Sequence, residues 1–185
     1  MRDVAMKQLR EHVDSDSLLK HSLAVEASMR GYAKKFDETV ERWGACGLLH
    51  DIDFQKHPDE HPLVGVEILR DLGYDEEFVM AVKGHSDATN TPRETKLAKT
   101  LYAVDELSSF IIACVLVRPT KFEGLKIKSI KKKLKDKAFA RAVDREQIKK
   151  SAEELGIDLN EHIQTVMDAL LVREEELQKE GLSLI

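Results

Sequence analysis

The chain has 185 residues, 42% hydrophobic and 34% charged, with a formal net charge of -5. That length supports one compact domain with its own core, and the apolar content excludes a chain disordered over most of its length. The acidic balance argues against a dedicated nucleic-acid binder, which needs positive charge to displace counterions from phosphate, but it leaves room for a local basic patch.

Apolar residues recur at spacings of three and four, and Pro and Gly are sparse, so the expected fold class is all-α. The opening Met1-Arg2-Asp3-Val4-Ala5-Met6 has no apolar run behind it, which predicts no secretory signal. Ser15 or Asp16 caps a helix through Phe36, with Leu19, Leu23, Ala27 and Met29 on its apolar side. A second helix is expected from Glu38 to about Asp51. Pro58 and Pro62 bracket a polar connection, then Val64 to Leu72 reads as a short helix stopped by Gly73. Asp75 caps Glu76 to His85, and Ser86 to Pro92 is rich in turn formers. A long apolar helix, about Glu94 to Val117, ends at Arg118-Pro119.

Beyond Pro119 the helices become more charged: about Ser129 to Val143, Arg145 to Leu155 and Leu159 to Lys179, with a frayed tail after Glu180. Residues 1–185 are expected to form one domain, with a core over 15–118 and an extension over 119–185 packed on it. Residues 126–137 hold seven lysines, yet Ile127, Ile130, Leu134 and Ala138 fall at helical spacing, so the lysines read as the wet face of an amphipathic helix. Glu174 to Glu176 reads as a solvated run. Cys46 and Cys114 lie in apolar stretches and read as buried thiols. The longest apolar stretch, Phe110 to Val117, is too short to cross a bilayer, and the expected location is cytoplasmic.

The chemistry concentrates in the first two thirds. Six of the seven histidines precede residue 86. His50-Asp51 places an imidazole beside a carboxylate able to bridge two cations, although such a pair alone arises often by chance. Asp105 lies in the apolar run Leu101-Tyr-Ala-Val-Asp-Glu-Leu, where an unpaired buried carboxylate would cost several kcal/mol; a metal or a lysine partner would remove that cost. His21 sits among apolar neighbours, and its bland alternative is a core histidine bonded to a carbonyl. Imidazoles and carboxylates without thiolate point to a divalent cation such as iron, manganese, cobalt, nickel, zinc or magnesium in a catalytic site, not to a structural zinc knot.

The order His21, His50-Asp51, Asp105 resembles the H…HD…D signature of the HD superfamily of metal-dependent phosphohydrolases. Leu48-Leu-His-Asp-Ile-Asp resembles the HDIG-type subgroup, with Asp53 where that motif has glycine. His61-Pro-Leu-Val-Gly-Val-Glu-Ile-Leu and Gly84-His85 resemble the extra histidine segments of its binuclear members. The likeness covers about residues 15–110. It implies a helical bundle in which His21, His50, Asp51 and Asp105 hold a first metal, and Asp51 bridges to a second held by His61 and His85. Asp51, His61 and His85 would then be catalytic, acting through metal-activated water on a phosphomonoester, phosphodiester or phosphoanhydride.

His57 competes with His61 for the second set, and the Pro-Leu-Val-Gly context favours His61. His12 and His162 are expected to be exposed. Lys56 and Lys83 are candidate contacts to substrate phosphate. The partner implied is a small phosphorylated, nucleotide-like substrate, with no membrane and no nucleic acid. Two alternatives remain open: a one-metal nucleotidase or phosphatase in which His61 and His85 contact phosphate, and a non-catalytic module that senses a nucleotide.

Overall fold

The computed structural model describes residues 1–185 as nine α-helices, one short 3-10 turn and no strand. They are α1 (Arg2–His12), α2 (Asp16–Phe36), α3 (Val40–Leu49), α4 (Leu63–Asp71), α5 (Glu76–Gly84), α6 (Lys96–Leu116), α7 (Ile127–Lys135), α8 (Arg145–Leu155) and α9 (Leu159–Lys179). The turn, Asp87–Thr89, lies in the expected loop between α5 and α6. No helix is long and apolar enough to cross a membrane.

Local signals set most boundaries. Ser15 Oγ accepts from Leu18 N at 3.4 Å to start α2, and Asp37 ends it in the left-handed region at φ 56°. Asp75, Thr95, Asp144 and Asp158 cap α5, α6, α8 and α9 through side-chain oxygens. The α8 and α9 bounds coincide with those expected. The second helix starts two residues later than expected, at Val40, and stops before His50, which leads into a run of turns.

Helix α2 is the central element, packed against α3, α6 and α9, and α6 also meets α5 and α8. One continuous core joins them, with Leu23, Val25 and Met29 of α2 against Leu48 of α3, Leu101 and Phe110 of α6, and Val166 and Leu170 of α9. Gly31 permits close approach of α2 to α9: a Cβ there would stand 2.6 Å from Ala169 Cβ. Cys46 and Cys114 are free and buried.

Four expectations on the periphery are corrected, and one further helix had no counterpart in the sequence reading. An N-terminal helix exists, anchored by Ala5, Leu9 and Val13, which recur every four residues and are buried. The lysine-rich helix stops at Lys135, and residues 136–143 turn back around Arg145, which donates to the carbonyls of Leu134, Asp136, Phe139, Ala140 and Val143. The tail after Glu180 is docked: Leu184 is buried and its N–H donates to Glu174 Oε2 at 2.7 Å. Glu174 is therefore buried, while Glu175 beside it is exposed.

The fourth correction concerns two histidines. His162 is fully buried on α9: its Nε2–H donates to Ala103 O at 2.9 Å, and its Nδ1 accepts from Tyr32 O–H at 2.6 Å. Both ring nitrogens are satisfied by the neutral tautomer, and burial lowers its pKa to about 4. His12, at the end of α1, is half-buried rather than exposed.

Candidate metal centre

Helices α2, α3, α5 and α6 and the turns after α3 bring six side chains to one place. His21 Nε2 lies 3.1 Å from His50 Nε2, 3.4 Å from Asp51 Oδ2 and 3.3 Å from Asp105 Oδ1. His50 Nε2 is 3.3 Å from Asp51 Oδ1 and 3.6 Å from Asp105 Oδ1. The same Oδ1 of Asp51 is 3.3 Å from His61 Nε2 and 3.4 Å from His85 Nε2, and those two nitrogens are 3.1 Å apart. His50, Asp51 and His85 are buried.

The outward nitrogens reveal the state of the inward ones. His50 Nδ1–H donates to Gly47 O at 2.8 Å and His85 Nδ1–H to Val82 O at 2.5 Å, both carbonyls three residues back on the same helix. His61 Nδ1–H donates to Asp53 Oδ1 at 2.7 Å, and His21 Nδ1 meets Ser109 Oγ at 3.0 Å. Carbonyl and carboxylate oxygens only accept, so neutral His50, His61 and His85 carry their proton on Nδ1 and aim a bare lone pair inward. His61 and His85 then face each other at 3.1 Å with no proton between them. Only a cation or an added proton relieves that contact.

A divalent cation fits the spacing. Metal–ligand bonds of about 2.1 Å put neighbouring ligand atoms about 3.0 to 3.4 Å apart in octahedral or tetrahedral geometry, which the contacts of 3.1–3.3 Å match, with His50 to Asp105 a little longer at 3.6 Å. The ligand atoms of His21, His50 and Asp105 all lie within 4.8 Å of one another, as do those of His50, Asp51 and His85. The outward hydrogen bonds are the fixing partners a ligating imidazole needs to hold its tautomer and orientation.

Charge in the site follows the same arrangement. Burial alone would depress His21, but hydrogen bonding and attraction from Asp105 and Asp51 push it up to about 10. Burial alone would raise Asp51; in the absence of a cation, an added proton on the inward nitrogens of His50, His21 and His85 would hold it well below the usual carboxylate range. Asp105 is likewise raised by burial and carried below the usual range by His21 and His50.

His61 rather than His57 joins the cluster; His57 points outward, 43% exposed, with Nδ1 3.7 Å from Glu60. Lys56 Nζ donates to Glu11 O at 2.9 Å, so it faces the end of α1 and not the cluster. Lys83 sits half-buried on α5, two residues before His85, and its ammonium has no ion pair.

Three contributors escaped the sequence reading. Asp53, noted only as a departure from a motif, is 1% exposed and accepts from His61 Nδ1–H through Oδ1 and from Gly65 N–H through Oδ2, both at 2.7 Å. Ser109, one turn after Asp105, meets His21, and a hydroxyl in an apolar helix is its only sequence mark. Phe54, 46% exposed, stands edge-on to the His61 ring at 5.1 Å; an exposed aromatic directly after the His-Asp segment was the available signal.

An all-helical domain with four histidines and two aspartates converging on one point defines a class: a helical His/Asp centre built for divalent metal. Comparison with known families places it further, because the model of the HD domain matches residues 18–109, and the chain belongs to the HD domain family through that segment. The chain is 35% identical over 95 residues, 51% of its length and 54% of the relative's, to an uncharacterised protein of Methanocaldococcus jannaschii. It is 31% identical over 97 residues to a ribonuclease Y of Nitratidesulfovibrio vulgaris, covering 51% of this chain and 18% of the relative. The matches thus span about half of the first relative and a fifth of the second. No solved structure matches the chain. HD domains are metal-dependent phosphohydrolases as a superfamily, and this one carries the His/Asp cluster such a metal requires.

Proposed function

We propose that the protein is a binuclear phosphohydrolase of small, nucleotide-like phosphate esters or anhydrides, in which His21, His50, Asp51 and Asp105 hold one divalent ion and Asp51, His61 and His85 a second. The observation that carries the reading is the placement of Asp51 between two groups of inward-facing nitrogens: Oδ2 lies 3.4 Å from His21 Nε2, and Oδ1 lies 3.3 Å from His61 Nε2 and 3.4 Å from His85 Nε2. A bound pair of divalent ions would supply an activated water at neutral pH and neutralise charge on the phosphoryl oxygens.

The chain's own residues do the rest. Asp51 faces His21 through Oδ2 and His50, His61 and His85 through Oδ1, so one carboxylate touches both sets and keeps them in register. The Nδ1–H bonds of His50 and His85 to backbone carbonyls, and of His61 to Asp53, stop the rings from turning and hold their lone pairs inward. Phe54 offers an exposed ring edge beside His61 against which an apolar part of a substrate can rest. Lys83 supplies a point charge for phosphate from α5.

The test is a panel of phosphomonoesters, phosphodiesters and nucleoside polyphosphates, assayed with metal-free protein to which manganese, iron, cobalt, nickel, zinc or magnesium is restored. The reading expects turnover of at least one class with at least one ion, abolished in Asp51→Ala. Absence of turnover across the panel, from protein that binds two ions, favours the nucleotide-sensing alternative.

A further inference from the structure

The net charge hides a strong segregation. Residues 118–150 hold thirteen Lys and Arg against four Asp and Glu, while the rest of the chain holds sixteen against thirty. Lys126, Lys128, Lys131, Lys132, Lys135 and Lys137 are exposed, and none pairs with a carboxylate. Left unpaired at this density, they repel one another, a cost that salt screens and a bound polyanion would offset.

The segment is built, not loose. Ile130 is fully buried, and Ile127 and Leu134 pack against the core, so α7 has one side fixed and presents its lysines on the other. Arg145 ties the return of the chain by donating to five backbone carbonyls. Between α7, α8 and the start of α9 lies a groove of about 380 Å³, in which Lys131, Lys135, Lys137, Arg145 and Lys149, the last paired with Glu146, surround a floor of Leu134, Ile148 and Leu159. A second groove on the other flank of α7 carries Arg118, Lys132 and Lys133 against the single carboxylate of Asp136. The ridge is thus cationic on both sides, along a helix of about 13 Å.

We propose that this lobe, outside the metal centre, is a docking surface for the phosphate backbone of a nucleic-acid strand, recognised by charge and not by base sequence. A ridge with cations along both flanks suits a chain of phosphates better than a single one. The aromatic rings of the lobe are already engaged: Phe139 packs on Phe110 at 5.7 Å with Lys133 Nζ 4.4 Å above it, which leaves no platform for stacking bases. A lipid surface fits less well, because the apolar side of α7 is committed to the core and cannot enter a bilayer. The lobe also adjoins the centre: Asp144 N–H donates to Glu106 Oε2 at 3.2 Å, and Glu106 is the neighbour of Asp105.

The test is fluorescence anisotropy of a labelled oligothymidylate with the full chain, titrated across salt concentrations, beside Lys131→Glu/Lys132→Glu/Lys135→Glu. Wild type should bind at low salt with a slope of log K against log salt of about -3, as four phosphate contacts on a single strand give. The triple variant should bind roughly a hundredfold more weakly while keeping its helical circular dichroism and its metal content. The exposed control Lys7→Glu/Lys34→Glu/Lys179→Glu, with the same change in net charge, should bind nearly as wild type. No binding at low salt, equal loss in the control, or binding to phosphatidylserine vesicles without binding to the strand would each overturn the proposal. Metal content is read separately, so failure here leaves the reading of the centre untouched.

Discussion

Replacing Asp53 with alanine should weaken the second metal set without touching the first. The carboxylate accepts from His61 Nδ1–H and Gly65 N–H, each at 2.7 Å, at a position 1% exposed. Its loss strands two donors at about 1–3 kcal/mol each, so stability should fall by about 2–6 kcal/mol. The His61 ring is then free to turn or change tautomer, and loss of such a fixing partner typically costs 10- to 100-fold in metal affinity, about 1.4–2.8 kcal/mol. Asp53→Asn is the sharper variant, because an amide cannot accept from both donors. If its oxygen serves Gly65, its NH₂ faces His61 Nδ1 and drives the proton to Nε2, where it blocks the lone pair. Gly65→Ala should act in the same direction, since a Cβ there would stand 3.0 Å from Asp53 Cγ. Calorimetric titration of metal into metal-free protein reads both sites. Wild-type affinity for a second ion in folded Asp53→Ala would refute the reasoning.

Other expectations concern the scaffold and its pH response. His162 has a folded pKa lowered to about 4 from an ordinary value of 6.5. The unfolded chain therefore takes up a proton first, and His162 costs stability as pH falls from about 6.5 to about 4, by roughly 3 kcal/mol at most. Denaturant unfolding across that window should be steeper in wild type than in His162→Gln; parallel profiles would contradict the neutral tautomer. Gly31→Val should destabilise by several kcal/mol through a forced separation of α2 and α9, and an unchanged melting temperature would show that the helices part freely. Limited proteolysis should yield no stable, active fragment ending near Pro119, because Ile163, Val166 and Leu170 of α9 belong to the same core as α2; such a fragment would mark 119–185 as a separate unit. His61→Ala and His85→Ala should each lower the metal content by about one ion, with His57→Ala as the unaffected control.

The fold was legible because helical periodicity and caps are local: Asp144 and Asp158 start α8 and α9 where their spacing and chemistry say they should. The ligand candidates were legible because His50-Asp51 and Asp105 are costly in apolar surroundings unless something binds them. What pattern could not supply was partnership across the fold. His162, set between Asn160-Glu161 and Gln164-Thr165, read as exposed, yet it is buried with Tyr32 and a carbonyl as partners, whereas His21, among apolar neighbours, faces carboxylates. Asp53 read as a departure from a motif because its partners, His61 and Gly65, lie 8 and 12 residues away. The lysine helix was overextended because the turn after Lys135 is held by Arg145, a residue beyond the segment itself. The docked tail escaped because its acceptor, Glu174, read as part of a solvated run.

The central claim is that Asp51 is shared by two metal sets, and elemental analysis of protein purified without chelator tests it most directly. Wild type should hold two divalent transition-metal ions per chain, and folded Asp51→Ala should lose most of both, because the carboxylate joins His21 on one side to His61 and His85 on the other. Full metal content in a folded Asp51→Ala protein would contradict it.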